Sequence, residues 1–232
     1  MTSLEELASP IRRTSLAEEV YETLLEAICG GQLAGGTKIS AVALAEKLNV
    51  SRTPVIEALR RLENDGLIEA STGKQARIVE VSRDEISQIY QMRQILEGAA
   101  AEAAARRMPR EALDDLEARA QDLDAGRKRL DWTERALAFD LTFHDVIAGA
   151  SGNERLRADI GRYRLLVRSF CRMSGTRENL EQAFAEHLKI LEAIKSRKPA
   201  AARRAMVEHI ASRLDSVLQD VVDHQAETKE RS

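Results

Sequence analysis

Between Ser40 and Leu67 two segments of helical apolar spacing are joined by only Asn49 and Val50, and so short a link obliges them to fold against each other. The second segment is the better defined. Ser51 is a residue type that caps helices with its hydroxyl, and Pro54 falls in the first turn, where backbone N–H groups lack an intrahelical partner anyway. Val55, Ala58, Leu59 and Leu62 then recur on one face, and Gly66 stands where a left-handed C-terminal cap is wanted. Arg52, Thr53, Ile56, Arg60 and Arg61 are left off that face. Upstream, Val42, Leu44, Ala45 and Leu48 mark a shorter helix. The pair reads as a helix-turn-helix, whose second helix enters the DNA major groove by its N-terminal end; an ordinary helical hairpin is the alternative.

The flanking residues favour the first reading. Ser15-Leu-Ala-Glu18 is a capping box, followed by a stripe of Leu16, Val20, Leu24, Leu25 and Ile28 that stops at Gly30-Gly31. After Gly66, two short alternating or β-branched runs flank Ser71-Thr-Gly-Lys-Gln75, a hairpin signal. A helix-turn-helix followed by a hairpin is a winged helix, and its wing would carry Gly73 and Lys74 toward phosphates or the minor groove. The whole chain has a net charge of −3, which argues against nucleic-acid binding by bulk charge. Residues 38 to 77 nevertheless hold seven basic against five acidic side chains, a local surface able to meet phosphates.

From Ser82 onward the pattern is helical throughout. Ser82-Arg-Asp-Glu85 is a second capping box and opens a long helix to about Arg107, with Ile86, Ile89, Met92 and Leu96 apolar and an Ala-rich end. Further helices are expected from Pro109 to Gly126, from an Asp131-Trp-Thr-Glu134 cap to Gly149, from Glu154 to Met173, from Arg177 to Ser196 and from Pro199 to about His224. The expected fold is mainly α: a flexible arm over 1–13, a winged helix-turn-helix with a small hairpin wing over 14–81, an all-α six-helix bundle over 82–224 and a tail over 225–232. Arg12 and Arg13 of the arm are within possible reach of DNA. With aromatics at only 3% and 44% hydrophobic residues, helix is favoured over a β-rich fold while ordinary cores remain affordable. No window is apolar enough to span a membrane and the N-terminus lacks a signal pattern, so a cytoplasmic protein is expected. Cys29 and Cys171 read as reduced structural thiols.

The bundle holds every histidine of the chain: His144, His187, His209 and His224. Asp140 and His144 are four apart and so share a helix face. His187 and His209 each sit among apolar neighbours, where an unpartnered imidazole is costly. One carboxylate and three imidazoles suit Zn²⁺, Ni²⁺, Mn²⁺ or a similar ion and leave positions for a ligand's oxygens. Separate satisfaction of each histidine by hydrogen bonds is the alternative. Arg93 on the long helix either projects into the bundle to meet a carboxylate or makes a surface ion pair with Glu97. Tyr163 and Arg164 are weaker pocket candidates, readable equally as a helix face.

These residues carry a family resemblance. Tyr21 to Gly36, Leu44 to Val55 and Glu57-Ala-Leu-Arg-Arg-Leu62 resemble the winged helix of GntR-family transcription regulators. Residues 84 to 222, with Arg93, Glu97, Asp140, His144, Ser151-Gly-Asn153, His187 and His209, resemble the helical FCD ligand-sensing domain of the subfamily that includes the fatty-acid and vanillate regulators. The resemblance implies a homodimer on a short palindromic operator, probing the cell for a small carboxylate effector. It implies a divalent metal on Asp140, His144, His187 and His209, with Arg93, Asn153 and Arg164 as effector contacts. It also places Arg52 on a base, Thr53 and Arg60 at the DNA, and Gly73 and Lys74 at the wing. The family commonly has Arg where this chain has Ile56, so one expected DNA contact is missing. A metal-dependent hydrolase built on the Asp/His cluster is the rival function, but no H-E-x-x-H or similar helix supplies its base. A helical adaptor would leave the Ser-Arg-Thr-Pro helix and the wing unexplained.

Overall fold

A computed structural model describes residues 15–71, 75–80, 82–173 and 176–230, the side chains of 70, 71, 75, 168–173 and 220–230 excepted. The chain forms two compact units, Met1–Glu80 and Val81–Ser232. Arg12, Arg13, Gly73, Lys74 and the side chains of Cys171 and His224 lie outside the described residues.

In the first unit α1 (Leu16–Cys29) is followed by β1 (Lys38–Ser40), α2 (Ala41–Leu48), α3 (Arg52–Asn64), β2 (Ile68–Ser71) and β3 (Gln75–Ile78). Ser15 opens α1 by accepting from the Glu18 N–H at 3.2 Å. Val20, Tyr21, Leu24, Leu25 and Ile28 turn inward, whereas Leu16, expected in the stripe, is 55% exposed because it lies in the first turn, ahead of the packed face. Asn49 closes α2 in the left-handed region at φ 53°, a conformation Asn tolerates better than most residues, and this lets α3 begin within three residues.

Ser51 is extended, as a cap should be, but its hydroxyl makes no capping bond. The reason is in the sequence: the third helical position is Pro54, which has no N–H to offer. At the other end Gly66 (φ 78°) reverses the chain, and the Leu67 N–H donates to the Leu62 carbonyl at 2.9 Å, which satisfies one of the carbonyls the helix end leaves open. Val55, Ala58 and Leu62 are fully buried. The hairpin expected from residues 67 to 80 is present with Ile68 opposite Ile78 and Ser71 opposite Gln75. It is joined by a strand the sequence did not announce: β1 pairs antiparallel with β3, giving the order β1-β3-β2.

The second unit contains α4 (Arg83–Arg107), α5 (Arg110–Ala125), α6 (Trp132–Ala150), α7 (Glu154–Met173), α8 (Arg177–Lys195) and α9 (Pro199–Glu230). Both bonds of the Ser82/Glu85 capping box form. Asp131, expected to cap α6, does not, since its backbone is near-helical and its carboxylate accepts from Arg129 instead, at 2.8 and 2.9 Å. α4 is the central helix and packs most extensively against α9. Its small residues permit this: Ala100, Ala101, Ala104 and Ala105 are buried, and a Cβ on Gly98 would stand 2.9 Å from Val207 Cγ2. Met92, by contrast, faces outward at 37% exposure, because Tyr90 and Arg93 take the inward positions. Around α4 the core is filled by Tyr90, Trp132, Phe143, Phe184 and Met206. α9 continues to Glu230, beyond the expected end near His224.

Candidate metal centre and nucleic-acid interface

α6, α8 and α9 bring Asp140, His144, His187 and His209 together, with one ligand atom from each lying within 4.8 Å of all the others. The histidines are buried, while the Asp140 side chain keeps 30% exposure and forms the side open to solvent. His187 Nε2 stands 3.2 Å from His209 Nε2 and 3.4 Å from Asp140 Oδ1, and His144 Nε2 stands 3.6 Å from the same oxygen. Ligand atoms about 2.1 Å from one ion stand roughly 3.0 to 3.4 Å apart when adjacent, so the two closest spacings match a first-row divalent ion and the wider ones would have to contract around it.

A second layer fixes how the rings point. His144 Nδ1 donates to Glu97 Oε2, and His209 Nδ1 donates to Glu186 Oε2 at 2.8 Å. Burial opposes ionisation of Glu97, but Arg93, His144 and Arg164 outweigh it and hold its pKa well below the usual carboxylate range. Burial likewise acts against Glu186, which hydrogen bonds from His209 and Ser212 hold low. Two ionised carboxylates therefore accept from the Nδ1–H groups and leave the Nε2 lone pairs of His144 and His209 directed at the cluster. The consequence is visible at His144, whose buried Nε2 has no hydrogen-bond partner. Burial, with Arg164 nearby, lowers the His144 pKa to about 4 against the pull of Glu97, and burial followed by His209 lowers that of His187. Both rings stand neutral at neutral pH, the form that ligates metal. Phe143 stacks on His187 with centroids 4.4 Å apart and walls the site. The alternative in which every histidine finds its own hydrogen-bond partner leaves His144 Nε2 unexplained.

The arginines divide in role. Arg164 donates to Asp140 Oδ2 at 2.8 Å and approaches Glu97 to 3.8 Å, which places it at the rim of the cluster. Burial raises the Asp140 pKa, but Arg164 and the three histidines outweigh it and the carboxylate stays ionised. Arg93 does pair with Glu97, at 2.8 Å, yet this is no surface ion pair: the side chains are 4% and 2% exposed. Asn153, expected at the effector, is exposed and accepts from the Leu156 N–H at 3.1 Å, capping α7. Its Oδ1 thus serves a helix end. Tyr163 is half-buried on α7. Glu97 and Glu186 are the residues that sequence reading left without a role at the histidines. Glu186 adjoins His187 in sequence but serves His209 on another helix, a pairing with no local signal.

In the winged helix Arg52, Thr53 and Arg60 are exposed on α3, and Ile56 is 41% exposed among them. Arg61 is differently employed. It pairs with Glu18 of α1 and lies over the Tyr21 ring at 3.9 Å, and Tyr21 donates to Asp65 at 2.7 Å. This cluster ties the end of α3 to α1. Gly73 and Lys74 lie outside the described residues.

A winged helix-turn-helix followed by a helical unit with a buried Asp/His cluster fits a DNA-binding regulator with a sensing domain. Comparison with known proteins agrees. The FCD domain matches residues 88–212, and the family described as "Bacterial regulatory proteins, gntR family" matches residues 16–78. A "Probable D-xylose utilization operon transcriptional repressor" of Paenarthrobacter nicotinovorans is 26% identical over 207 residues, covering 88% of this chain and 89% of that protein. The HTH-type transcriptional repressor RspR of Escherichia coli is 28% identical over 211 residues, covering 87% and 89%. The solved structure of Escherichia coli McbR/YncC superposes with a TM-score of 0.75 at 21% identity, over 90% of this chain and 100% of that one, and shows the shared fold. The chain belongs to the gntR family of bacterial regulatory proteins and carries an FCD effector-binding domain. It is a transcription regulator and not an enzyme, which sets aside the hydrolase reading.

Proposed function

We propose that this protein is a cytoplasmic, homodimeric repressor of a catabolic operon that binds a palindromic operator and is controlled by a small organic acid at a metal-containing site. The observation that carries the sensing part is the buried, partnerless Nε2 of His144 facing the Nε2 atoms of two more histidines and a carboxylate. Asp140, His144, His187 and His209 would hold a divalent ion of the zinc, nickel or manganese kind. When bound, such an ion supplies a positive centre on which a carboxylate can lodge. Glu97 and Glu186 accept hydrogen bonds from the Nδ1–H groups and thereby orient His144 and His209. Arg164, at the exposed side beside Asp140, is placed to share its guanidinium with the incoming acid, and Arg93 supports the arrangement through Glu97. At the DNA, Arg52 would read a base, Thr53 and Arg60 would flank it, and Gly73 and Lys74 would carry the wing. The similarity to a probable D-xylose utilization operon repressor supports the catabolic part of the reading. No described helix is long and apolar enough to cross a membrane.

The test is metal analysis of protein purified without a metal-affinity tag, before and after addition of Zn²⁺, Ni²⁺ or Mn²⁺, repeated on His187→Ala. Stoichiometric ion in the parent and loss in the variant is the expected result, with chelation lowering the melting temperature of the parent. No bound ion in the parent even after addition, or undiminished ion in the variant, would show these histidines to be ordinary core residues.

A further inference from the structure

Seen down its axis, α3 has two faces. Residues four apart are offset by about 40°, so Arg52, Ile56 and Arg60 follow one another along one side. The mean direction of Pro54, Val55, Ala58 and Leu62, all buried, points away from that of Thr53, Ile56 and Arg60. Ile56 is thus at the outward centre of the helix, 41% exposed, between two arginines. Among the described residues neither arginine has an ion pair, whereas Arg61 is held by Glu18. Neither folding nor packing accounts for an isoleucine here. It adds nothing to the core, and a β-branched side chain is a poorer helix former than arginine.

We infer that Ile56 is a specificity-determining residue that packs against the C5-methyl group of a thymine in each operator half-site. The inference rests on the reading of α3 as the helix that enters the major groove. The groove displays hydrogen-bonding edges at every base pair but an apolar group only at thymine. An isoleucine pressed against guanine or cytosine would leave their polar edges without water or partner, an arrangement that costs affinity. Against thymine the same side chain removes two apolar groups from water together. Arg52 and Arg60, one turn to either side, can reach bases or phosphates and so fix the position at which Ile56 stands.

The experiment uses the full chain. A binding site is first selected from a randomised duplex library. Each thymidine of that site is then replaced in turn by deoxyuridine, which keeps every hydrogen-bonding group and removes only the methyl. At one thymidine per half-site the replacement should weaken the parent about fourfold for each half-site changed, the equivalent of one buried methyl group. The Ile56→Ala variant should lose affinity for the parent site and show no further loss with deoxyuridine there. Ile56→Arg, selected on the same library, should exchange that thymine for guanine. Methyl removal that affects parent and Ile56→Ala equally at every position, or nowhere, would overturn the inference, since Ile56 would then rest on the sugar-phosphate backbone or clear of DNA. Arg52→Ala separates the two failures. If it weakens selected-site binding while the methyl series is flat, only the Ile56 contact falls; if it leaves binding unchanged, the assignment of α3 to the groove falls with it.

Discussion

Replacing Glu97 by Gln would change one oxygen to an amide and remove one charge, yet Glu97 has three cationic or polar dependants. It accepts from Arg93 Nε at 2.8 Å and from His144 Nδ1, and Arg164 lies 3.8 Å away. With Glu97 and Arg93 both almost wholly buried, the guanidinium cannot recover its lost partner from water. Breaking a buried pair from one side typically costs about 3 to 5 kcal/mol, and this is the expected loss for Glu97→Gln. The single tryptophan of the chain, Trp132, is fully buried in the second unit, so its fluorescence in a urea titration follows the unit that contains the change. Arg93→Met should also destabilise, and the double variant should cost about 1 to 3 kcal/mol less than the sum, because each single change strands the other member of one buried pair. Loss of the carboxylate that orients His144 should in addition weaken metal binding by about 10- to 100-fold in a calorimetric titration. A loss below about 1 kcal/mol, additive with Arg93→Met and without effect on metal affinity, would refute the idea that Glu97 holds both Arg93 and His144.

Gly98→Ala should destabilise the second unit by about 1 kcal/mol in the same urea titration despite the better helix propensity of Ala, because the new Cβ meets the stiff Val207; equal or greater stability would mean that α9 shifts freely. Tyr21→Phe should cost the first unit about 1 kcal/mol through the bond to Asp65 while keeping the ring under Arg61, and faster amide exchange in α1 and α3 would report it. Arg52→Ala should weaken selected-site binding by about 1 to 3 kcal/mol with an unchanged circular dichroism spectrum. Arg164→Met should leave bound metal in place and abolish the response of operator binding to carboxylic acids, and retention of that response would remove Arg164 from the effector site.

The helices were legible because their ends are local. Ser15, Ser82 and Thr176 each accept from the N–H three residues on, so cap and helix lie within one window of sequence. The two caps that failed did so for equally local reasons: Pro54 removes the donor Ser51 would have used, and Arg129 claims the Asp131 carboxylate. The strand β1 was not legible because nothing within Lys38–Ser40 demands extension. Its partner is Gln75–Ile78, more than thirty residues on, and only that pairing satisfies its backbone.

The site divides along the same line. Asp140 and His144 are one turn apart and could be paired from spacing, and His187 and His209 stood out as polar residues on apolar faces. The carboxylates behind them did not, because the second layer is assembled across helices: Glu97 of α4 serves α6, and Glu186 of α8 serves α9. This crossing has a mechanical consequence. The four candidate ligand residues lie on α6, α8 and α9, and Glu97 adds α4 through His144. A charge arriving at Asp140 and Arg164 therefore meets a set of ionised groups in which Glu97 is common to Arg164, Arg93 and His144. Drawing Arg164 toward an acid removes one of the three cationic or donor groups that keep Glu97 ionised in its buried setting. Arg93, like Glu97, belongs to α4, the first helix of the second unit.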